Sequence, residues 1–265
     1  VFFTLSGFLI TNLLLAEAQH SGEVSFRRFY TRRIKRLLPA SLVCLTAVAV
    51  ARLVGEFGHV DGLRGQMWGA LGQVYNWVRI EGSSSYSQLF GQAPVLVSPL
   101  EHYWSLAIEE QFYVVWPIVL VLVARRCRRR GTDVLRTLVT LTVACAVASP
   151  LITSMWSSNV GYWSTPTRLG ELLVGASAAA WHQRGGRLPA WSKWLAVLAL
   201  ELVVVLGLVL PVGSGPAYSG WMTPVALVSG ALILALQVPG PCRTLLSLRP
   251  VVWVGRVSYG LYLYH

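Results

Sequence analysis

Charge is what this chain has least of. Only 12% of its 265 residues are charged, against about 25% in a soluble domain. That shortage excludes a water-facing surface over most of the molecule. Cysteine is sparse too: Cys44, Cys127, Cys145 and Cys242 lie far apart, with no C-x-x-C among them. Such spacing gives neither a disulfide framework nor a zinc site, so no metal is expected. No Ser-His-Asp order, Walker loop or Rossmann glycine pattern occurs. No repeat of about 20–50 residues is present, which excludes a solenoid.

What fills the chain is apolar. Hydrophobic residues make up 54% of it, and the mean hydropathy is +0.56. A membrane span needs about 20 mostly apolar residues. Eight stretches qualify in whole or part: 1–16, 37–54, 104–124, 135–155, 166–182, 194–210, 221–238 and 251–265. The expected fold is all-α, a polytopic transmembrane helix bundle. It forms a single integral membrane domain over 1–265, cut at both ends because each end falls inside an apolar run.

The net charge is +11, but its placement decides its meaning. Seventeen of the 22 Lys and Arg fall in the stretches 17–36, 125–136, 184–193 and 239–249. Clustering between spans fits the positive-inside rule rather than a nucleic-acid face. The segment 66–80 holds Gln66, Gln73, Asn76 and Arg79 among interfacial aromatics. If it is re-entrant, all four basic stretches share one side, which is then cytoplasmic. Multi-pass insertion in a membrane is expected, with the lipid bilayer as a partner.

Five segments can carry chemistry. In FRRFYTRRIKRLLPA, residues 26–40, Arg27, Arg28, Arg32, Arg33, Lys35 and Arg36 crowd into ten positions. They read either as a stripe for anionic headgroups or as a dock for phosphate, which Arg grips in a bidentate way. In LEHYWSLAIEEQFYVVWP, residues 100–117, the residues His102, Ser105, Glu109 and Tyr113 share one helical face. Glu110 lies a quarter-turn away, next to Gln111. Adjacent carboxyls inside a span are costly unless they face a cavity or a cation. Arg168 and Glu171 stand at i, i+3 and can pair across one turn, structurally or catalytically. In the last segment Ser258, Tyr259 and His265 sit among small and aromatic residues. In the first, Ser6 and Gly7 interrupt an apolar run and read as close packing. His20, His59 and His182 read as solvated surface.

Together these segments resemble the membrane-bound acyltransferase-3 family, which includes sugar O-acetylases of bacterial cell envelopes. The matching stretches are FFTLSGFLI, FYTRRIKRLLPA, HYWSLAIEEQFYVVWP, RLGELLVGA and VSYGLYLYH. They follow the family's order over almost the whole chain. The resemblance implies transfer of an acyl group, often acetyl, from cytoplasmic acyl-CoA to a hydroxyl of a carbohydrate or related glycan or glycolipid acceptor. Acyl-CoA is then a co-substrate, with no bound cofactor. The resemblance places the family's Arg-x-x-Arg on Arg33 and Arg36, Glu-Glu-Gln on Glu109, Glu110 and Gln111, and the preceding His on His102. It puts the proposed catalytic histidine upstream of Val1, so the chain alone is expected to be inactive.

Two other classes fit the same residues. Intramembrane carboxylates are equally expected in a proton-coupled exporter of lipid-linked glycans. A non-catalytic membrane scaffold would need its buried charges only as ion pairs.

Overall fold

The structure is a computed structural model and describes residues 1–58, 60, 62–81, 98–211 and 214–264. All regular secondary structure among the described residues is helical. The order is α1 (Phe2–Ser21), α2 (Phe26–Leu53), α3 (Leu63–Leu71), α4 (Tyr75–Glu81) and α5 (Tyr103–Arg130). Then come α6 (Val134–Met155), α7 (Ser158–Trp163), α8 (Thr165–Gln183), a 3-10 turn (Ala190–Ser192) and α9 (Lys193–Val209). The described chain closes with α10 (Met222–Ala235), α11 (Pro241–Leu246) and α12 (Arg249–Tyr264).

Five of these meet the length and composition of a membrane span: α1, α2, α5, α6 and the turn with α9. That agrees with a polytopic bundle. The other three expected spans are also helices, but shorter or more polar. At about 1.5 Å per residue, the 14 residues of α10 fall short of a hydrocarbon core about 30 Å thick. Helix α8 carries Arg168 and Glu171, yet is enclosed by α1, α6 and α10. A helix wrapped by helices needs no lipid-compatible surface.

Local signals set the helix ends. The basic stretch after α1 is mostly not a loop, because α2 begins at Phe26 and its cations ride on the helix. The Ser25 hydroxyl caps that start by accepting from the Arg28 N–H. Helix α5 ends in Arg128, Arg129 and Arg130, at the negative end of its dipole. Gly131 then turns the chain at φ 63°, a conformation that costs glycine little. The Asp133 carboxylate accepts from the Leu135 and Arg136 N–H groups and starts α6.

Segment 66–80 breaks at 72–74 into α3 and α4. They have nine and seven residues, and neither is long enough to cross a bilayer. The two pack on each other, Gly69 lying against Val78.

The tightest crossing is between α1 and α8. A Cβ on Gly7 would lie 1.9 Å from the Leu172 carbonyl oxygen, and one on Gly175 would lie 1.9 Å from the Thr4 oxygen. Each helix therefore presents a glycine to the other's backbone. Gly170 makes room in the same way for the Thr223 side chain of α10. Helix α5 is tied in by the Trp116 indole N–H, which donates to Thr11 Oγ1 at 2.8 Å. Helix α2 is tied to α5 by the Tyr30 hydroxyl, which donates to the Val114 oxygen at 2.8 Å.

Candidate functional site

Arg33, Arg36 and Leu37 recur at helical spacing on α2, so they share a face. That face looks onto the Glu109, Glu110 and Tyr113 side of α5 across a cavity of about 480 Å³. Ser6 of α1 and Ser258, Tyr259 and Tyr262 of α12 add to its polar lining. A second cavity of about 480 Å³ adjoins it, lined further by Tyr30, Ser41, Gln73 and Tyr103. The two share Arg33, Leu37, Leu106, Glu110, Tyr113 and Tyr259. Both carboxylates of α5 and two arginines of α2 thus face one space.

The geometry within that space is specific. The Arg33 guanidinium lies 4.8 Å from the centre of the Tyr113 ring and 5.7 Å from that of Phe29. Cation–π contact of this kind holds the charge against the ring faces, in the space that Glu109 and Glu110 also line. The Tyr113 hydroxyl donates to Ser6 Oγ at 3.1 Å. The Ser6 hydroxyl in turn donates to Glu109 Oε1. Ser6, Glu109 and Tyr113 are all buried.

Other expected site residues lie elsewhere. Arg32 points away to the surface, 3.9 Å from Glu17. His102 precedes α5 and sets its ring edge-on to Tyr262 at 5.6 Å. The Tyr262 hydroxyl donates to the His102 oxygen at 3.1 Å and pairs with the Ser105 hydroxyl at 2.5 Å. His102 and Ser105 therefore brace a tyrosine that lines the cavity without lining it themselves. Gln111 turns to the far side of α5. Its amide N–H groups donate to the Gln73 oxygen at 2.7 Å and Asn76 Oδ1 at 2.9 Å, and its oxygen accepts from Thr165 at 2.5 Å. It clamps α4 and α8 onto α5.

Arg168 and Glu171 form a buried pair at 2.8 Å, and Arg168 Nε donates to the Tyr162 oxygen at 2.8 Å. With Tyr162 and Trp104 under the guanidinium, this pair is enclosed by structure. Ser258 donates to the Gly255 oxygen of its own helix at 2.9 Å, and Tyr259 to the Leu37 oxygen at 3.2 Å. His265 lies outside the described residues, as does His59.

Sequence reasoning missed two features. Ser6 reads in the sequence as packing beside Gly7, yet its hydroxyl bonds Glu109, while Gly7 meets the Leu172 backbone. Arg79 and Glu101 form a second buried pair at 2.9 Å, under Trp163. Burial pushes the Glu101 carboxyl above its ordinary range, more than Arg79 pulls it down. The available signal was an arginine between apolar residues in a segment too short to span. Among the described residues, no group of three His, Cys, Asp or Glu is placed to hold a metal ion.

Comparison with known proteins adds a second line. A family model described as an acyltransferase domain, of the acyltransferase-3 type, matches residues 1–265. The chain is 35% identical over 277 residues to a putative peptidoglycan O-acetyltransferase, YrhL, of Bacillus subtilis. It is 31% identical over 275 residues to the peptidoglycan O-acetyltransferase OatA of Listeria monocytogenes. A putative O-acetyltransferase of Staphylococcus aureus is 29% identical over 284 residues. Each alignment covers 100% of this chain, but only 43% of the first two relatives and 44% of the third. The chain thus spans less than half the length of these relatives. No solved structure matches it.

Proposed function

The chain belongs to the acyltransferase-3 family, and from that premise we propose that it is the membrane part of an O-acetyltransferase of the bacterial cell envelope. The donor is acetyl-CoA and the acceptor a hydroxyl of a cell-wall or other envelope carbohydrate. One observation carries this reading: Arg33, Arg36, Glu109 and Glu110 line a single cavity.

Acyl transfer from a thioester to a hydroxyl needs three things. A phosphate-rich donor must be held, the hydroxyl proton must be taken, and charge on the carbonyl oxygen must be stabilised. Arg33 and Arg36 hold phosphate oxygens of the donor. Glu109 and Glu110 supply the base, Glu109 within reach of the Ser6 and Tyr113 hydroxyls, and Arg33 balances their charge. A peptidoglycan acceptor is carried over from the names of the relatives.

In this reading the protein sits in the cytoplasmic membrane with its basic helix ends inside. The charge distribution supports that orientation, and it brings the donor to Arg33 and Arg36 from the cytoplasm. Arg33→Ala and Arg36→Ala in the full-length protein should each weaken acetyl-CoA binding and slow acetyl transfer. A charge-assisted hydrogen bond is worth about 1.5–3 kcal/mol, so each loss should be roughly ten- to a hundredfold. Wild-type affinity and transfer in both variants would remove the donor role from these residues.

A further inference from the structure

A cavity of about 480 Å³ sits low in the range of about 300–1,000 Å³ that holds one small ligand. The adjoining cavity does not reach Ser6 or Glu109, so only the first space brings a donor or an acceptor to them. The two can use that space in turn if the acyl group stays on the protein between the visits.

The lining offers few atoms to carry it, and their hydrogen bonds separate them. Ser258 gives its proton to a carbonyl of its own helix, and Tyr259 gives its own to the Leu37 carbonyl. Tyr262 is engaged with Ser105 and His102. Tyr113 donates to Ser6. The Ser6 hydroxyl donates to a carboxylate, that of Glu109, which the Tyr113 hydroxyl also reaches. This is the pairing of a nucleophile with its base.

We propose that Ser6 is a transient acyl carrier: its Oγ attacks the donor thioester and holds the acetyl group as a serine ester. The proposal rests on the acetyltransferase reading above. In the first half, the Ser6 proton passes to Glu109, the Oγ–C bond forms and the C–S bond breaks. The thiolate leaves and takes the proton back from Glu109 as free coenzyme A thiol. In the second half, the acceptor hydroxyl gives its proton to Glu109 and attacks the ester. The C–O bond to Ser6 breaks, and Glu109 returns the proton to Oγ. Tyr113 donates toward the same centre, where a hydrogen bond steadies the developing charge. Ser6 is only 8% exposed, so its ester is shielded from the water that would hydrolyse it.

The test uses the full-length protein in proteoliposomes, acid-quenched during turnover with acetyl-CoA and an acceptor glycan, then digested for mass spectrometry. The expected result is an acetylated peptide containing Ser6. Ser6→Ala should lack that adduct and lose transfer by at least about a thousandfold, while binding acetyl-CoA at wild-type affinity. Ser6→Cys, nearly the same size, should accumulate a thioester even if the alanine variant folds poorly. Turnover by wild type with no acetyl at position 6 in either wild type or Ser6→Cys would overturn the carrier. So would Ser6→Ala working within about tenfold of wild type. Wild-type protein that neither binds nor consumes acetyl-CoA would instead overturn the acetyltransferase reading itself, and the carrier with it.

Discussion

At Arg79 and Glu101 two opposite charges meet at 2.9 Å, each side chain only 9% exposed. Neither is tolerable there without the other. Arg79→Met should therefore cost about 3–5 kcal/mol, because it strands a buried carboxylate. Thermal unfolding in detergent measures that loss. A double variant with Glu101→Leu should recover most of it, and no recovery would show that the pair does more than balance charge. This scale was partly legible in the sequence. Glu109, Glu110 and Arg33 stood out because an ion in an apolar run needs a reason. Ser6 did not, since a small hydroxyl in a span costs little and its direction depends on how two distant helices are turned. Gln111 was read with its carboxylate neighbours, but each step along a helix rotates a side chain by about 100°. One residue on, it faces another helix.

Between elements, the crossing of α1 and α8 is set by glycines rather than by hydropathy. A methyl group on Gly175 has no room beside the Thr4 carbonyl. Gly175→Ala should cost about 1–3 kcal/mol through overpacking, read as a lower melting temperature. Gly65 of α3 is the internal comparison, because nothing lies within 4 Å of its would-be Cβ. Gly65→Ala should be neutral or stabilise by up to about 1 kcal/mol, the helical advantage of alanine over glycine. Equal effects at the two sites would argue against a backbone contact at Gly175. The long spans were readable from length and composition alone. Helix α8 was readable as a helix, but not as the hub of the bundle. Its enclosure by three others follows from which surfaces are small, and hydropathy does not rank surfaces by size.

Across the whole molecule, parity links every loop to one side or the other. With α3 and α4 too short to cross, Glu23 and Arg129 fall on one face of the membrane and Asn159 on the other. In a variant whose four native cysteines are replaced, Glu23→Cys and Arg129→Cys should label with an impermeant maleimide only after cells are opened. Asn159→Cys should label in intact cells. Glu23→Cys and Arg129→Cys labelling from opposite sides would mean that the α3–α4 segment crosses after all. The charge pattern is what predicts this layout, because lipid punishes a misplaced arginine more than it shapes any one contact.

The paired glycines have one more consequence, for motion. Shifting α1 along α8 by even one residue, about 1.5 Å of rise, would drive a side chain into a carbonyl that now sits at glycine distance. Helices α1 and α8 therefore act as the fixed jaw of a vice, and Ser6 is mounted on it. Helix α2 is the other jaw. Its backbone approaches α3 and α12, and it meets α5 through the long side chains of Tyr30 and Arg33. Side chains can adjust where packed backbones cannot, so the wall of the cavity with room to give is the one that carries Arg33 and Arg36, not the one that carries the hydroxyl.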